Sequence, residues 1–395
     1  MSETPELVAL QLAANLAIQE TEFKASVLRH CTHLPQEVSV DQFKVHIHPD
    51  DQMLLHSIRH FGEVNRPASQ YFNVALQQHQ AAQQILRSVV TRVESAKVLD
   101  FACGFGRLLR FLSLSLPKGN VWAAEIQSDA LDFVGAEFGV HTLQSHPDPA
   151  DFVPAERFDF IWVASLFSHL PDKLFRAWLD RLHAVLAPNG VLCFSVHDQQ
   201  LLPPGRAMAP EGIHFIAQSE NADLDTCIYG TTYVSESYVR RMVAEVTGSV
   251  GGECVRLPRA LANEQDIYVV AAGATAAILD RLKSFRRGAW GWVDGMSWTT
   301  DHALLMNGWA ASLDDGPLDT VQISIDGQVH DVPTGQLRED VGRVLCDVRL
   351  NSSGWSARLT LPHPGSARCY VEVSACSVRG ERSLLYAGYL NSPNP

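Results

Sequence analysis

The chain has 395 residues, 46% of them apolar and 19% charged, so it is too long for one ordinary core and too apolar for a disordered polymer. A formal net charge of -13 argues against a broad electrostatic footprint for nucleic acid or anionic lipid. Two or three domains are expected, with no secretory signal in Met1-Ser-Glu-Thr-Pro-Glu6 and no apolar run long enough for a membrane span.

Leu7, Leu10, Ala14 and Ile18 fall at helical spacing and predict an amphipathic helix over 6–30. His46-x-His48 with Asp50-Asp51 has metal-ligand chemistry, but an isolated His-x-His is more often an ordinary strand or turn, so no metal is expected. Arg66 to Phe72 leads into a second helical stretch, 74–90. Strands and helices then alternate: a strand at 97–102, a helix over 107–116, a strand at 120–125, a helix through Ala130, and a buried strand at 158–164. Asp172 opens a helix with Phe175, Trp178, Leu179, Leu182 and Leu186 on one face. Pro188-Asn-Gly190 turns into the strand 191–196. This order predicts an α/β fold, a doubly wound Rossmann-like parallel sheet with right-handed crossovers. A helix over 235–246, a strand near Val255 and a strand at 266–271 follow. Beyond a basic segment at 281–287, short runs at 303–309, 321–325, 357–361 and 370–374 predict an antiparallel β-sandwich of about seven strands, with Asp326-Gly327 as a hairpin turn. The eight cysteines are scattered, with no Cys-x-x-Cys pair, which suits a reducing cytoplasm and gives no zinc site.

The informative segment is Val98-Leu-Asp-Phe-Ala-Cys-Gly-Phe-Gly-Arg107. Asp100 stands at a strand end, and Gly104 and Gly106 let the backbone approach a ligand. Nineteen residues after Gly106, Glu125 ends the next strand, placed for the two hydroxyls of a ribose. A nicotinamide dinucleotide needs Gly-x-Gly-x-x-Gly, and no glycine stands at the third position counted from Ala102 or Gly104. A carboxylate in the turn would repel a pyrophosphate, whereas it accepts from the amino group of a methionine moiety. S-adenosyl-L-methionine therefore fits the turn better.

With these motifs, 66–272 resembles the class I S-adenosylmethionine-dependent methyltransferases, in the form associated with bacterial glycan and polysaccharide biosynthesis. The resemblance is carried by Tyr71-Phe72, Leu99-Asp100, Cys103-Gly104, Gly106-Arg107, Phe138-Gly139, Ser165-Leu166 and His169-Leu170, with Pro188-Asn189-Gly190 in place of a Pro-Gly-Gly turn. It implies that Asp100, Ala102, Gly104 and Gly106 surround the methionine part of the cofactor, with Tyr71 beside the site. It also implies that Glu125 binds ribose, Ile126 and Asp148 border adenine, and Ala164 and Ser165 floor the pocket. Ala102 stands where the family has its first glycine. A hydroxyl acceptor needs a base, and His169 and His197, at the ends of the fourth and fifth strands, are the catalytic candidates. Asp198 beside His197 is a potential partner for it, and the long stretch 198–232 lies where an acceptor lid would be.

The expected organisation is a helical region at 1–65, the methyltransferase domain at 66–275, a linker at 276–287 and the β-sandwich at 288–395. Trp290, Trp292, Trp298, Trp309 and Trp355 are read as core or interface residues, with sugar stacking as the alternative. The expected activity is cytoplasmic O-methylation of a sugar hydroxyl in a glycan or glycan precursor. A natural-product methyltransferase and a non-catalytic scaffold working through its sandwich are the other readings. The expected partner is a small-molecule or glycan acceptor. Nucleic-acid base methylation is disfavoured because Ala164-Ser-Leu-Phe167 replaces the Asp/Asn-Pro-Pro-aromatic motif that cradles a base, and the oligomeric state stays open.

Overall fold

The computed structural model describes residues 5–35, 38–217, 226, 228–248, 254–272, 279–360 and 367–392. The chain folds as two compact units, one formed by 1–77 with 286–395 and the other by 78–285.

The chain begins with α1 (Pro5–Ala17), α2 (Thr21–His30), α3 (Gln52–Phe61) and α4 (Asn65–Val89). The single helix expected over 6–30 is two helices, because the chain turns after Ala17 to bury Ile18. Asp51 caps α3 by accepting from the Met53 N–H at 2.9 Å. His48 accepts from the Asp50 N–H at 3.1 Å, and among the described residues no group of three or more His, Cys, Asp or Glu is disposed to hold a metal.

In the second unit, β1 (Val98–Phe101), α5 (Leu109–Ser115), β2 (Val121–Glu125), α6 (Ser128–Phe138), β3 (His141–Gln144), β4 (Phe158–Val163), α7 (Asp172–Ala184) and β5 (Leu186–Asp198) form the alternating half. They are followed by β6 (Ile213–Ile216), β7 (Thr231–Val234), α8 (Glu236–Thr247), β8 (Cys254–Leu261) and β9 (Gln265–Ala271). Strands β3-β2-β1-β4-β5 are parallel, and the order reverses between β1 and β4. The sheet is not parallel throughout: β9 runs antiparallel to β5, and β8 antiparallel to β9. A turn of three residues at 262–264, with Ala262 and Asn263 at positive φ, makes β8 and β9 a hairpin, which a parallel crossover would not permit. Pro188-Asn189-Gly190 lies within β5 at a register irregularity against β4.

Two-residue periodicity explains the buried sheet. Phe160 and Trp162 of β4 join the core formed with α4, α5 and α6, while Ile161 and Val163 join the opposite core with α7 and α8. With both faces covered, the central strands read as continuous apolar runs. Phe175, Trp178, Leu179 and Leu182 all bury from α7, as their spacing predicts, whereas Leu186 belongs to β5.

The C-terminal part of the first unit comprises β10 (Ala289–Trp298), β11 (Ala303–Ser312), β12 (Gly316–Pro317), β13 (Thr320–Ile325), β14 (Gln328–Pro333), α9 (Glu339–Val344), β15 (Gly354–Thr360), β16 (Arg368–Cys376) and β17 (Arg382–Asn391). They make two antiparallel sheets, one of β10, β11, β12 and β15 and one in the order β14-β13-β16-β17. A shared core takes Val293, Leu304 and Trp355 from the first and Ile323, Val373 and Tyr386 from the second. Asp326 and Gly327, both at positive φ, turn β13 into β14 as the Asp-Gly signal predicts. Trp290, Trp309 and Trp355 are buried, and Trp292 and Trp298 are half-buried.

Candidate functional site

At the carboxyl end of β1 the chain leaves the sheet through three left-handed residues: Ala102 at φ 56°, Gly104 at 52° and Gly106 at 78°. Two glycines meet this need without strain, while a left-handed alanine costs roughly 1 kcal/mol. Their surroundings differ. A Cβ on Gly106 would lie 2.5 Å from Cε2 of Phe138, so this glycine lets the turn pack on α6. A Cβ on Gly104 would meet nothing within 4 Å, so this glycine fronts open space beside the turn.

Glu125, at the end of β2, is buried and already oriented. Its carboxylate accepts from the backbone N–H groups of Gly104 (2.9 Å), Ile126 (2.7 Å) and Gln127 (3.3 Å). Burial raises its pKa, and those three donors pull it back down. The carboxylate thus ties the glycine turn to β2 and keeps lone pairs for further donors. The Gln144 amide donates to the carbonyls of Glu125 (3.2 Å) and Ile126 (2.9 Å), securing the same corner from β3. Ile126 is 37% exposed there. Asp148 is also exposed and caps the 3₁₀ turn Pro149–Asp151, accepting from the Ala150 N–H at 2.9 Å.

Asp100 is buried, and its carboxyl is pushed up to about 8, first by desolvation and then by Glu125, against a smaller pull from Arg107. An acid in that state ionises readily only when a cation arrives, and the ammonium group of a methionine moiety is such a cation. Asp100, the open side of Gly104 and the preset Glu125 therefore fit S-adenosylmethionine.

A polar group gathers at the ends of β4 and β5. Ser165, following Ala164, is left-handed at φ 58°, and its N–H donates to Ser195 Oγ at 2.8 Å. The Ser195 hydroxyl donates to Oε1 of Gln265 at 2.6 Å. The Gln265 Nε2 lies 3.1 Å from Ser165 Oγ and 3.3 Å from His197 Nε2. His169 and His197 come together, with ring centroids 6.2 Å apart and planes at 78°. Tyr229 stacks on His169 at 4.6 Å, and Nδ1 of His169 lies 2.6 Å from the carbonyl oxygen of Gly230. His197 is held down at about 4, by burial first and by the His169 ring second.

Asp198 does not pair with His197. Its carboxylate bonds Arg256 at 2.8 Å and caps the turn Gln199–Leu201 through Gln200. Arg256 also holds Asp266 at 2.6 Å and Glu236 at 2.7 Å, so Asp198 belongs to an ion-pair cluster that links β5, α8, β8 and β9. Tyr71 is buried in the first unit, where its hydroxyl donates to Asp51 at 2.8 Å. Of the expected acceptor lid, residues 218–225 and 227 lie outside the described residues; β6 and β7 flank that gap and pair antiparallel. The sequence reading missed Gln265, Ser195 and Gln144. A polar Gln265-Asp266 pair heading the otherwise apolar β9 was the available signal.

Residues 74–244 match a family model described as a methyltransferase domain. This region is a methyltransferase domain of the S-adenosylmethionine-dependent, class I type. A curated relative, malonyl-[acyl-carrier protein] O-methyltransferase of Calditerrivibrio nitroreducens, is 24% identical over 155 residues, covering 39% of this chain and 60% of that protein. The match therefore spans less than two thirds of the relative's length. Among solved structures, PKMT2 from Rickettsia typhi is similar at 22% identity, covering 30% of this chain and 25% of the other, with a TM-score of 0.26. An amino pentose methyltransferase of calicheamicin biosynthesis from Micromonospora echinaspora is similar at 17% identity, with coverages of 50% and 91% and a TM-score of 0.36. Magnesium protoporphyrin IX methyltransferase from Synechocystis shows 14% identity, coverages of 58% and 96% and a TM-score of 0.38.

Proposed function

We propose that this methyltransferase O-methylates a sugar hydroxyl of a glycan or glycan precursor, with His169 as the general base. The observation that carries the reading is the contact between His169 Nδ1 and the Gly230 carbonyl. A carbonyl only accepts, so Nδ1 carries the proton and Nε2 the lone pair that takes a proton from an acceptor. When bound, S-adenosylmethionine supplies an electrophilic methyl on a sulfonium, and sulfur keeps the electron pair of the broken S–C bond. Asp100 would hold the ammonium group and Glu125 the ribose, with Gly104 giving the backbone close approach. Methyl transfer is mainly a positioning problem, and in sheet order the β4 end that carries Ala164, Ser165 and His169 lies between the glycine turn after β1 and His197 on β5.

The sugar acceptor rests on the sequence resemblance and on the C-terminal antiparallel sheets, which we read as an appended sandwich that docks the acceptor. A cytoplasmic location rests on the cysteines, since no disulfide joins the described ones. No helix among the described residues is long and apolar enough to cross a membrane. A radiolabelled methyl-transfer screen over nucleotide sugars, lipid-linked glycans and malonyl-acyl carrier protein tests the acceptor class. Incorporation into a sugar that falls about a hundredfold or more in His169→Ala supports the reading. Incorporation only into the malonyl acceptor, or full single-turnover rate on a sugar without His169, refutes it.

A further inference from the structure

We propose that Gln265 is a positioning residue that fixes His197 as the neutral tautomer protonated on Nδ1. The proposal deepens the preceding reading, because it assigns work to the second histidine at the acceptor side of the same site.

The direction of each hydrogen bond follows from its neighbour. The Ser165 N–H donates into Ser195 Oγ, so the single Ser195 proton is available for Gln265, whose nearer atom at 2.6 Å is the amide oxygen. The amide nitrogen then faces Ser165 Oγ and His197 Nε2. An amide N–H only donates, so Nε2 of His197 must present a lone pair and its proton resides on Nδ1. Protonating Nε2 would set one N–H against another. Burial and the nearby His169 ring disfavour the imidazolium, against a smaller opposing pull from a hydrogen bond with the Thr232 backbone.

The other charged groups around this ring do not restore the imidazolium. Asp198 on β5, Asp266 on β9 and Glu236 on α8 are all bonded to Arg256, whose charge offsets part of theirs. Tyr233 on β7 lies beside the ring at 5.4 Å. A second positive charge beside His169 would oppose the proton that His169 is to receive and would oppose a sulfonium ligand. Gln265 thus keeps the acceptor side uncharged until His169 itself takes a proton. Its own position is set by the antiparallel register of β9 on β5, in which Asp266 pairs with Val196, and by the grip of Arg256 on Asp266.

The test is a pH titration of the full chain labelled with ¹⁵N-histidine, with the His197 signals assigned by their loss in His197→Gln. In the wild type, Nε2 of His197 is expected at a lone-pair nitrogen shift and Nδ1 at a protonated one, with no titration above pH of about 5. The isosteric Gln265→Glu replaces the donor by an acceptor charge and should raise the His197 midpoint by roughly two units, while Gln265→Met should raise it by less than about one. A wild-type proton on Nε2, or an unmoved midpoint in a folded Gln265→Glu protein, overturns the proposal. The wild-type tautomer decides the matter even if the variants fail to fold. None of these signals depends on methyl transfer, so a His169→Ala enzyme with full rate would sink the base assignment and leave the His197 tautomer standing.

Discussion

Asp100→Asn separates the charge of the buried acid from its shape. In the folded protein burial, and then Glu125, push this carboxyl up to about 8, against 3.8 when it is solvated. A folded pKa raised above the unfolded one means that Asp100 favours folding below the lower value and loses that advantage as the pH climbs towards the upper one. Between the two, the loss is about 1.4 kcal/mol per pH unit, so from pH 5 to pH 7 wild-type stability falls by ~3 kcal/mol through this group. The asparagine of the variant has no proton to lose. The difference between the urea unfolding free energies of variant and wild type should therefore swing by about 3 kcal/mol in favour of the variant over that interval, with m unchanged. With cofactor the order reverses, because a charged hydrogen bond of roughly 1.5–3 kcal/mol to the ammonium group is weakened, giving about ten- to hundredfold poorer binding. Parallel pH–stability curves for the two proteins would refute the claim that Asp100 is held protonated. Equal cofactor affinity would refute its role as the ammonium partner.

Other substitutions probe the turn and its supports. Ala102→Gly should raise the melting temperature slightly, by less than about 1 kcal/mol of stability, since relief of the left-handed strain is partly offset by the freedom of glycine in the unfolded chain. Ala102→Val should lower it in the same thermal scan. Gly106→Ala places a Cβ against Phe138 at φ 78° and should cost roughly 2–4 kcal/mol, with partial recovery in the Gly106→Ala, Phe138→Leu double variant, measured by denaturant unfolding. Arg256→Met strips the partner from Asp266, which is buried to 2% exposure, and should cost roughly 3 kcal/mol at neutral pH in the same assay.

The sheet was legible because β1, β2 and β4 are buried on both faces and each is followed by a helix with a clear apolar stripe. The geometry of the glycine turn was legible because it is local: Asp100, Gly104, Gly106 and Glu125 lie within 26 residues, and the turn bonds across to the adjacent strand. At the ends of β4 and β5 only the histidines were legible. Gln265 reaches Ser165 across 100 residues, and that contact depends on β9 folding back antiparallel on β5, a direction that the apolar run 266–271 does not encode. Asp198 misled for the same reason, because adjacency to His197 says nothing of Arg256, 58 residues away. In the first unit, β10 went unread since its Trp-Gly-Trp-Val-Asp-Gly sequence breaks the two-residue alternation at a bulge after Val293.

Calorimetric titration of S-adenosylhomocysteine into the wild type and into Glu125→Ala asks whether the glycine turn and Glu125 hold the cofactor. One site with a dissociation constant of roughly 1–100 µM is expected in the wild type, and no measurable binding once Glu125, which organises the turn, is gone. No heat from the wild type at about 1 mM ligand, or equal affinity in the two proteins, would contradict it.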